Sequence, residues 1–351
     1  MNRAFGSRHS LTAFVLCTVV PAANCTDDPA GPPEAQGDAV GVIVSSTDRT
    51  LTVFDVENPS VTFSIGLGPD GSPVTIAVRG ATVAVPLGTV PAVAIVNLET
   101  RAVVHTVPLP EGSGATGVAF LNDSIAIVAN PSLHTVSPVN VRRGTSGAAI
   151  AVGTYPQAAV AVNDTVYVSN ANLGPDFSPA GPATLSVITG SPAQVVRTIT
   201  LSGTNAGAAV PTSDGRLIVV NSGSFGLADG SLSIVSRMTL TETAHVTGFG
   251  DFPGAVGIGP DGRIHVAAFS YGVAVWNPTA GSFSYAPDQA VAPGGIPSTS
   301  GLAFDEEGRL YTLVPDCRDP SRALRLSPTF DVDIEIPTGI CPFGIVFTRI
   351  P

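Results

Sequence analysis

Side chains able to do chemistry are few in this sequence, and their spacing limits what they can do. Four cysteines stand at 17, 25, 317 and 341, and five histidines at 9, 105, 134, 245 and 265. There is no CxxC pair, HExxH helix, Gly-x-Ser-x-Gly elbow or phosphate-cradling glycine loop. Two acidic runs remain. Asp305, Glu306 and Glu307 are consecutive, and such oxygen donors can hold a hard cation. Asp331, Asp333 and Glu335 instead alternate with Val332, Ile334 and Ile336, the pattern of a strand with one solvated face that resists edge pairing. Neither run by itself names a reaction.

Charge narrows the partners. All 16 basic residues are arginine, against 27 acids, a formal charge of −11. With no basic cluster beyond Arg142 and Arg143, nucleic acids and anionic membrane surfaces are excluded as expected partners. Hydrophobic residues make up 44% of the chain, enough for a sizeable core and too many for a disordered chain. The 38 glycines and 31 prolines indicate many turns and little helix.

The N-terminus reads as an export signal, residues 1–24. Arg3 and Arg8 precede a ten-residue apolar run, LTAFVLCTVV (11–20), too short to span a bilayer. The following Pro21-Ala22-Ala23-Asn24-Cys25 resembles the bacterial lipoprotein box, which implies lipidation of Cys25. It departs from that box at Ala22, where an aliphatic residue is usual, and at Asn24, where Gly or Ala is usual. The alternative is cleavage near Ala23, leaving Cys25 a free thiol. Residues 25–38, rich in Pro, Gly and acid, suit a flexible tether. The expected location is the outer membrane or periplasm, with the membrane contacted only through the lipid; the alternative is a secreted soluble protein.

The elements that must position these residues form a repeat. A small, aliphatic run opens each unit, as in GVAF (117–120), AAVAV (158–162), GAVGIG (254–259) and GLAF (301–304). A tight turn follows, with Gly80, Asp123, Asp164, Gly215, Gly262 and Gly308 spaced by 43, 41, 51, 47 and 46 residues. A second β-rich run follows each turn, a third follows in most units, and a fourth is seen at 103–107, 148–152, 195–199 and 332–336; no stretch carries a helical apolar period of helical length. Four strands at this spacing indicate propeller blades. Residues 39–67 hold only three runs, and Pro342 to Phe347 repeat the opening run before the chain ends. The C-terminal strand is therefore expected to complete blade 1, giving a seven-bladed, all-β propeller over residues 39–351.

The units resemble those of YVTN-type, YncE-like seven-bladed propellers, as in YPQAAVAVNDTVYVSNAN…ATLSVI (155–188) and DFPGAVGIGPDGRIHVAAF…GVAVW (251–276). The resemblance speaks for fold and little for function. Related propellers include calcium-dependent gluconolactonase-like enzymes and the streptogramin B lyase. Asp305, Glu306 and Glu307 fall at the first hairpin of blade 7, away from the usual ligand entrance, so no metal or other cofactor is expected. Of the histidines, only His134 is placed to serve as a general base.

In an up-and-down blade, the loops between strands two and three share a face with the links from strand four to the next blade. Cys317 and Cys341 both fall there, which predicts a disulfide in an exported protein. The long insertions 171–183, with Phe177, and 222–230, with Phe225, extend the same face. Asn130, Asn170 and Asn221 end the second strands of blades 3, 4 and 5, either as turn caps or as part of a binding face with His134. The sequence-based expectation is a monomeric, non-catalytic binding or scaffold module taking a protein, peptide or glycan. The alternative is a lactonase-like hydrolase or a lyase with its site on the loop-rich face.

Overall fold

The computed structural model describes residues 37–350. The predicted signal, Cys25 and most of the tether lie outside the described residues. The first strand begins at Asp38. No α-helix occurs among the described residues; three single 3-10 turns interrupt an otherwise all-β chain.

Seven antiparallel sheets follow one another along the chain, in the predicted propeller order. Blade 5 is typical, with strands Ala206–Pro211, Arg216–Asn221, Ser231–Ser236 and Thr241–Thr247 paired in sequence order. Its second strand is RLIVVN, with five of six residues buried, because neighbouring blades cover both faces of the middle strands. Its outermost strand, TETAHVT, has no fully buried residue. Seven of the eight apolar clusters among the described residues join two blades, as where Leu185 and Val187 of blade 4 pack with Leu217 and Val219 of blade 5; the eighth, around Ala268, Tyr271 and Ala274, lies within blade 6. Most of the core thus lies between blades rather than within them, and burial between them drives the ring together.

The ring closes as the sequence predicts. Pro342–Ile350 is the innermost strand of blade 1 and pairs antiparallel with Asp38–Ser45, in a register that includes Ile43 with Ile345 and Val42 with Val346. Phe54 and Phe347 meet edge-on across this blade, and both rings lie against Tyr311 of blade 7.

Blade 3 departs from the regular pattern. Its third strand, Thr135–Asn140, contains Pro138, whose carbonyl accepts the Gly147 amide, just beyond Ser146 on the outer side, at 2.7 Å. The missing Pro138 N–H faces the same side. The expected fourth strand over 148–152 is accordingly split into Thr145–Ser146 and Ile150–Ala151.

Candidate functional site

The chain enters each blade on one face, here called the upper face, which also carries the loops between strands two and three. The first strands of all seven blades line a central channel. Its upper end forms a cavity of about 540 Å³. Small residues open this space: Gly117, Ala158, Ala208, Gly254, Gly301 and Gly344 each stand near the start of a first strand. Phe252, Phe269 and Phe343 stand at its mouth.

Polar side chains fasten the mouth from blade to blade. The Thr75 hydroxyl donates to the Thr116 carbonyl, and the Thr116 hydroxyl to that of Gln157 at 3.2 Å. The Gln157 amide donates to the Ala206 carbonyl at 2.9 Å, and the Ser222 hydroxyl to that of Pro253 at 2.7 Å. The Ser300 hydroxyl donates to Pro342 at 2.5 Å. These contacts cross five of the seven blade junctions, so the rim is fixed before any ligand arrives.

The residue immediately before the first strand is left-handed in four blades: Tyr155 (φ 54°), Asn205 (φ 56°), Phe252 (φ 53°) and Cys341 (φ 64°). A bulky side chain in that region is strained and persists only where its surroundings hold it. At Tyr155, the hold includes His134, whose Nδ1 accepts the Tyr155 amide at 3.1 Å. The His134 Nδ1 is thus engaged in holding this backbone turn. Burial raises the Tyr155 phenol above its ordinary pKa.

Aromatic pairs follow from this geometry. Tyr155 meets Phe177 edge-to-face at 5.9 Å, and Phe252 meets Phe225 in the same way at 5.7 Å. Phe269 lies 5.9 Å from Phe343. Phe177 is 67%, Phe225 81%, Phe252 40% and Phe269 49% exposed; these are the four exposed phenylalanines among the described residues, and all are on the upper face. His134 and Phe177 thus share one corner of the face, while Phe225 sits at a second with Phe252.

Asn130, Asn170 and Asn221 lie beneath that surface, all buried. Each amide turns back onto two hydroxyls of its own third strand: Thr135 and Ser137, Thr184 and Ser186, Ser231 and Ser233. Each Oδ1 is buried and has no partner among the described residues. Tyr155, Phe252, Phe269 and Phe343 are rim residues that the sequence reading did not single out. A signal for two of them was present, since Tyr155 and Phe252 occupy the same position as Cys341 before a blade-opening proline.

On the opposite face the acidic run is engaged in ion pairs. Arg309 contacts Asp305 at 2.6 Å, Glu307 at 2.8 Å and Glu57 at 2.9 Å, and Arg349 contacts Glu306 at 2.8 Å, tying blade 7 to blade 1. Asp333 and Glu335 pair with Arg325 and Arg322 on the outer strands of blade 7. No group of three or more His, Cys, Asp or Glu among the described residues is arranged to hold a metal ion. A lower cleft between blades 2 and 3 also measures about 540 Å³, but its Arg79 is ion-paired with Asp123. Cys317 and Cys341 are disulfide-bonded on the upper face, with Cα atoms 4.1 Å apart.

No family model and no curated protein matches the chain. Solved structures do resemble it. A functionally unknown protein from Desulfotomaculum acetoxidans has a TM-score of 0.65 at 16% identity, covering 89% of this chain and 99% of that one. Hydrazine synthase from Kuenenia stuttgartiensis has a TM-score of 0.61 at 16% identity, covering 79% and 95%. The WD40 β-propeller domain of Doa1 has a TM-score of 0.57 at 14% identity, covering 79% and 90%. At such identities the likeness is one of fold: this chain is a seven-bladed β-propeller.

Proposed function

We propose that the protein is an exported, lipid-anchored binding module of the cell envelope, without catalysis of its own, whose ligand seats at the upper mouth of the central channel. The observation that carries this reading is that the four exposed phenylalanines among the described residues all lie on the upper face, Phe252 and Phe269 at the mouth of a preformed cavity and Phe225 packed on Phe252, since exposed apolar groups of this size concentrate where something covers them. The lining of the upper cavity has hydroxyls at Thr75 and Ser300 and is otherwise apolar, with no acid or amide among its described residues of the kind a lactonase-like calcium site needs. The repeat pattern supports kinship with YVTN-type propellers. The disulfide supports an oxidising compartment.

Hydrogen exchange in the presence of envelope extract tests the site. Protection is expected in 171–183, 222–230 and 248–252; protection confined to the lower turns would overturn the reading. Cys25→Ser tests the anchor. The variant should leave the membrane fraction, and a wild-type protein already soluble with Asn24 at its N-terminus would rule lipidation out.

A further inference from the structure

We infer that the upper mouth takes a basic peptide segment of a partner protein, with an apolar side chain inserted into the channel cavity. This rests on the binding reading above and assigns its ligand class.

The apolar half of the argument is the cavity. A Cβ added at Gly254 would meet nothing within 4 Å, so the space beside it is open. A cavity of about 540 Å³ admits a large side chain, and the mouth is rimmed by Phe252, Phe269 and Phe343. Burying such a group removes apolar surface of both partners from water.

The charged half is the rim. The upper loops of blades 4 to 6 cover residues 152–155, 171–183, 201–205, 222–230, 248–252, 269–271 and 286–300. They contain Asp176, Asp229, Asp251 and Asp288, and not one arginine; the chain has no lysine. Three of these acids stand beside the exposed rings. Asp176 adjoins Phe177 and accepts the Ser178 amide at 3.2 Å. Asp229 accepts the Ser224 amide at 2.8 Å, next to Phe225. Asp251 adjoins Phe252 and accepts the Gly226 amide at 2.7 Å. Each uses only Oδ1 in these bonds, and none of the three is in an ion pair among the described residues. The Ser178 hydroxyl further lowers the Asp176 pKa. On the lower face Asp123, Asp214, Asp261 and Asp305 each have an arginine, while Glu99 and Asp164 are in no ion pair among the described residues. The upper loops of blades 4 to 6 thus present unpaired carboxylates interleaved with aromatic faces, while Arg49 and Arg318 lie in the upper loops of blades 1 and 7; carboxylates and aromatic faces both attract ammonium and guanidinium groups.

Charge also decides among occupants. A second copy would bring the same acids face to face. The chain's own residues 26–36 carry Asp27, Asp28 and Glu34 with no base. Nucleic acids and phospholipid headgroups are anionic. A cationic segment with an apolar residue is complementary to both rim and cavity.

The test uses fluorescein-labelled synthetic peptides and fluorescence anisotropy. A short peptide alternating arginine and leucine should bind saturably at low salt and weaken at about 0.5 M NaCl, where surface charges are screened. Asp229→Asn with Asp251→Asn should weaken binding about tenfold or more, as should Phe225→Ser with Phe252→Asn, the asparagine tolerating the left-handed backbone. Glu99→Gln with Asp164→Asn, on the lower face, should leave it unchanged. Thermal melts establish that each variant is folded. No binding by the arginine–leucine peptide would overturn the inference. So would equal binding by a glutamate–leucine or arginine–serine peptide, or an equal loss in the lower-face control. If envelope extract protects the upper loops while the arginine–leucine peptide fails to bind, the site stands and the basic-peptide assignment falls.

Discussion

Three buried asparagines show how one residue type can hold a blade together. Asn170 donates to the Thr184 and Ser186 hydroxyls, both at 3.0 Å, and to the Thr184 carbonyl at 3.3 Å. Asn170→Ala should therefore cost about 1–3 kcal/mol, as expected for buried hydroxyls left without their donor. Urea unfolding would measure this, with ligand binding on the upper face unchanged because the side chain lies beneath it. Sequence position alone could not separate an asparagine that turns inward from one that reaches solvent. The readable clue was the pair of hydroxyls at alternate positions after the loop, as in TLSVI and SLSIV. His265 carries a pH prediction. Burial between blades 6 and 7, against Phe304 and Phe330, lowers its pKa from the ordinary 6.5. The unfolded chain takes up the proton first, so this contribution to stability is complete above 6.5 and is lost as pH falls through the lowered folded value. Stability measured by urea between about pH 7 and pH 5 should fall less steeply in His265→Phe than in wild type. Equal slopes would dissociate His265 from acid sensitivity.

At the scale of the strand, legibility followed burial. Middle strands covered on both faces read as continuous apolar runs, and the sequence marks them plainly. Outer strands such as Thr241–Thr247 and Ser282–Tyr285 bury little, so no apolar run announced them; pairing to the preceding strand defines them. Pro138 hid the third strand of blade 3 for a different reason, since a proline argues against a central strand unless its ring side faces an interrupted neighbour. The innermost strands make a separate demand: small residues where blades converge. A Cβ on Gly117 would lie 2.6 Å from the Ala158 Cα, a backbone atom of the next blade that cannot rotate away. Gly117→Ala should cost about 1–3 kcal/mol through overpacking, whereas Gly254→Ala, which meets open space, should change the melting temperature little. Equal melting of the two variants would show that blades 3 and 4 can separate freely.

The whole molecule depends on a closure made by its two ends. Three strands at the start of the described chain and one at its finish form a single blade, which leaves the ring without an open sheet edge at the junction. That division was visible in the sequence because an opening run was missing at one end and left over at the other. The rim aromatics were less visible, because their common position becomes evident only once seven blades face one channel. The disulfide stands where the closing strand begins. The Cys341 amide donates to the Asp316 carbonyl at 2.7 Å, and the Cys341 carbonyl accepts the Ser46 amide at 2.9 Å, so one residue touches blade 7 by its side chain and amide and blade 1 by its carbonyl. Loss of the Cys317–Cys341 bond frees a separation of 24 residues in the unfolded chain, an effect of about 3 kcal/mol on the chain-entropy account. Cys317→Ser with Cys341→Ser should therefore lower the melting temperature, and reducing agent should lower that of wild type by a similar amount. Reductant should then have no further effect on the double variant. Because the bond pins the strand that closes the ring, the reduced protein should also lose hydrogen-exchange protection first in 38–45 and 342–350. Uniform loss across all seven blades would mean that the bond acts on the unfolded chain alone and that closure holds without it.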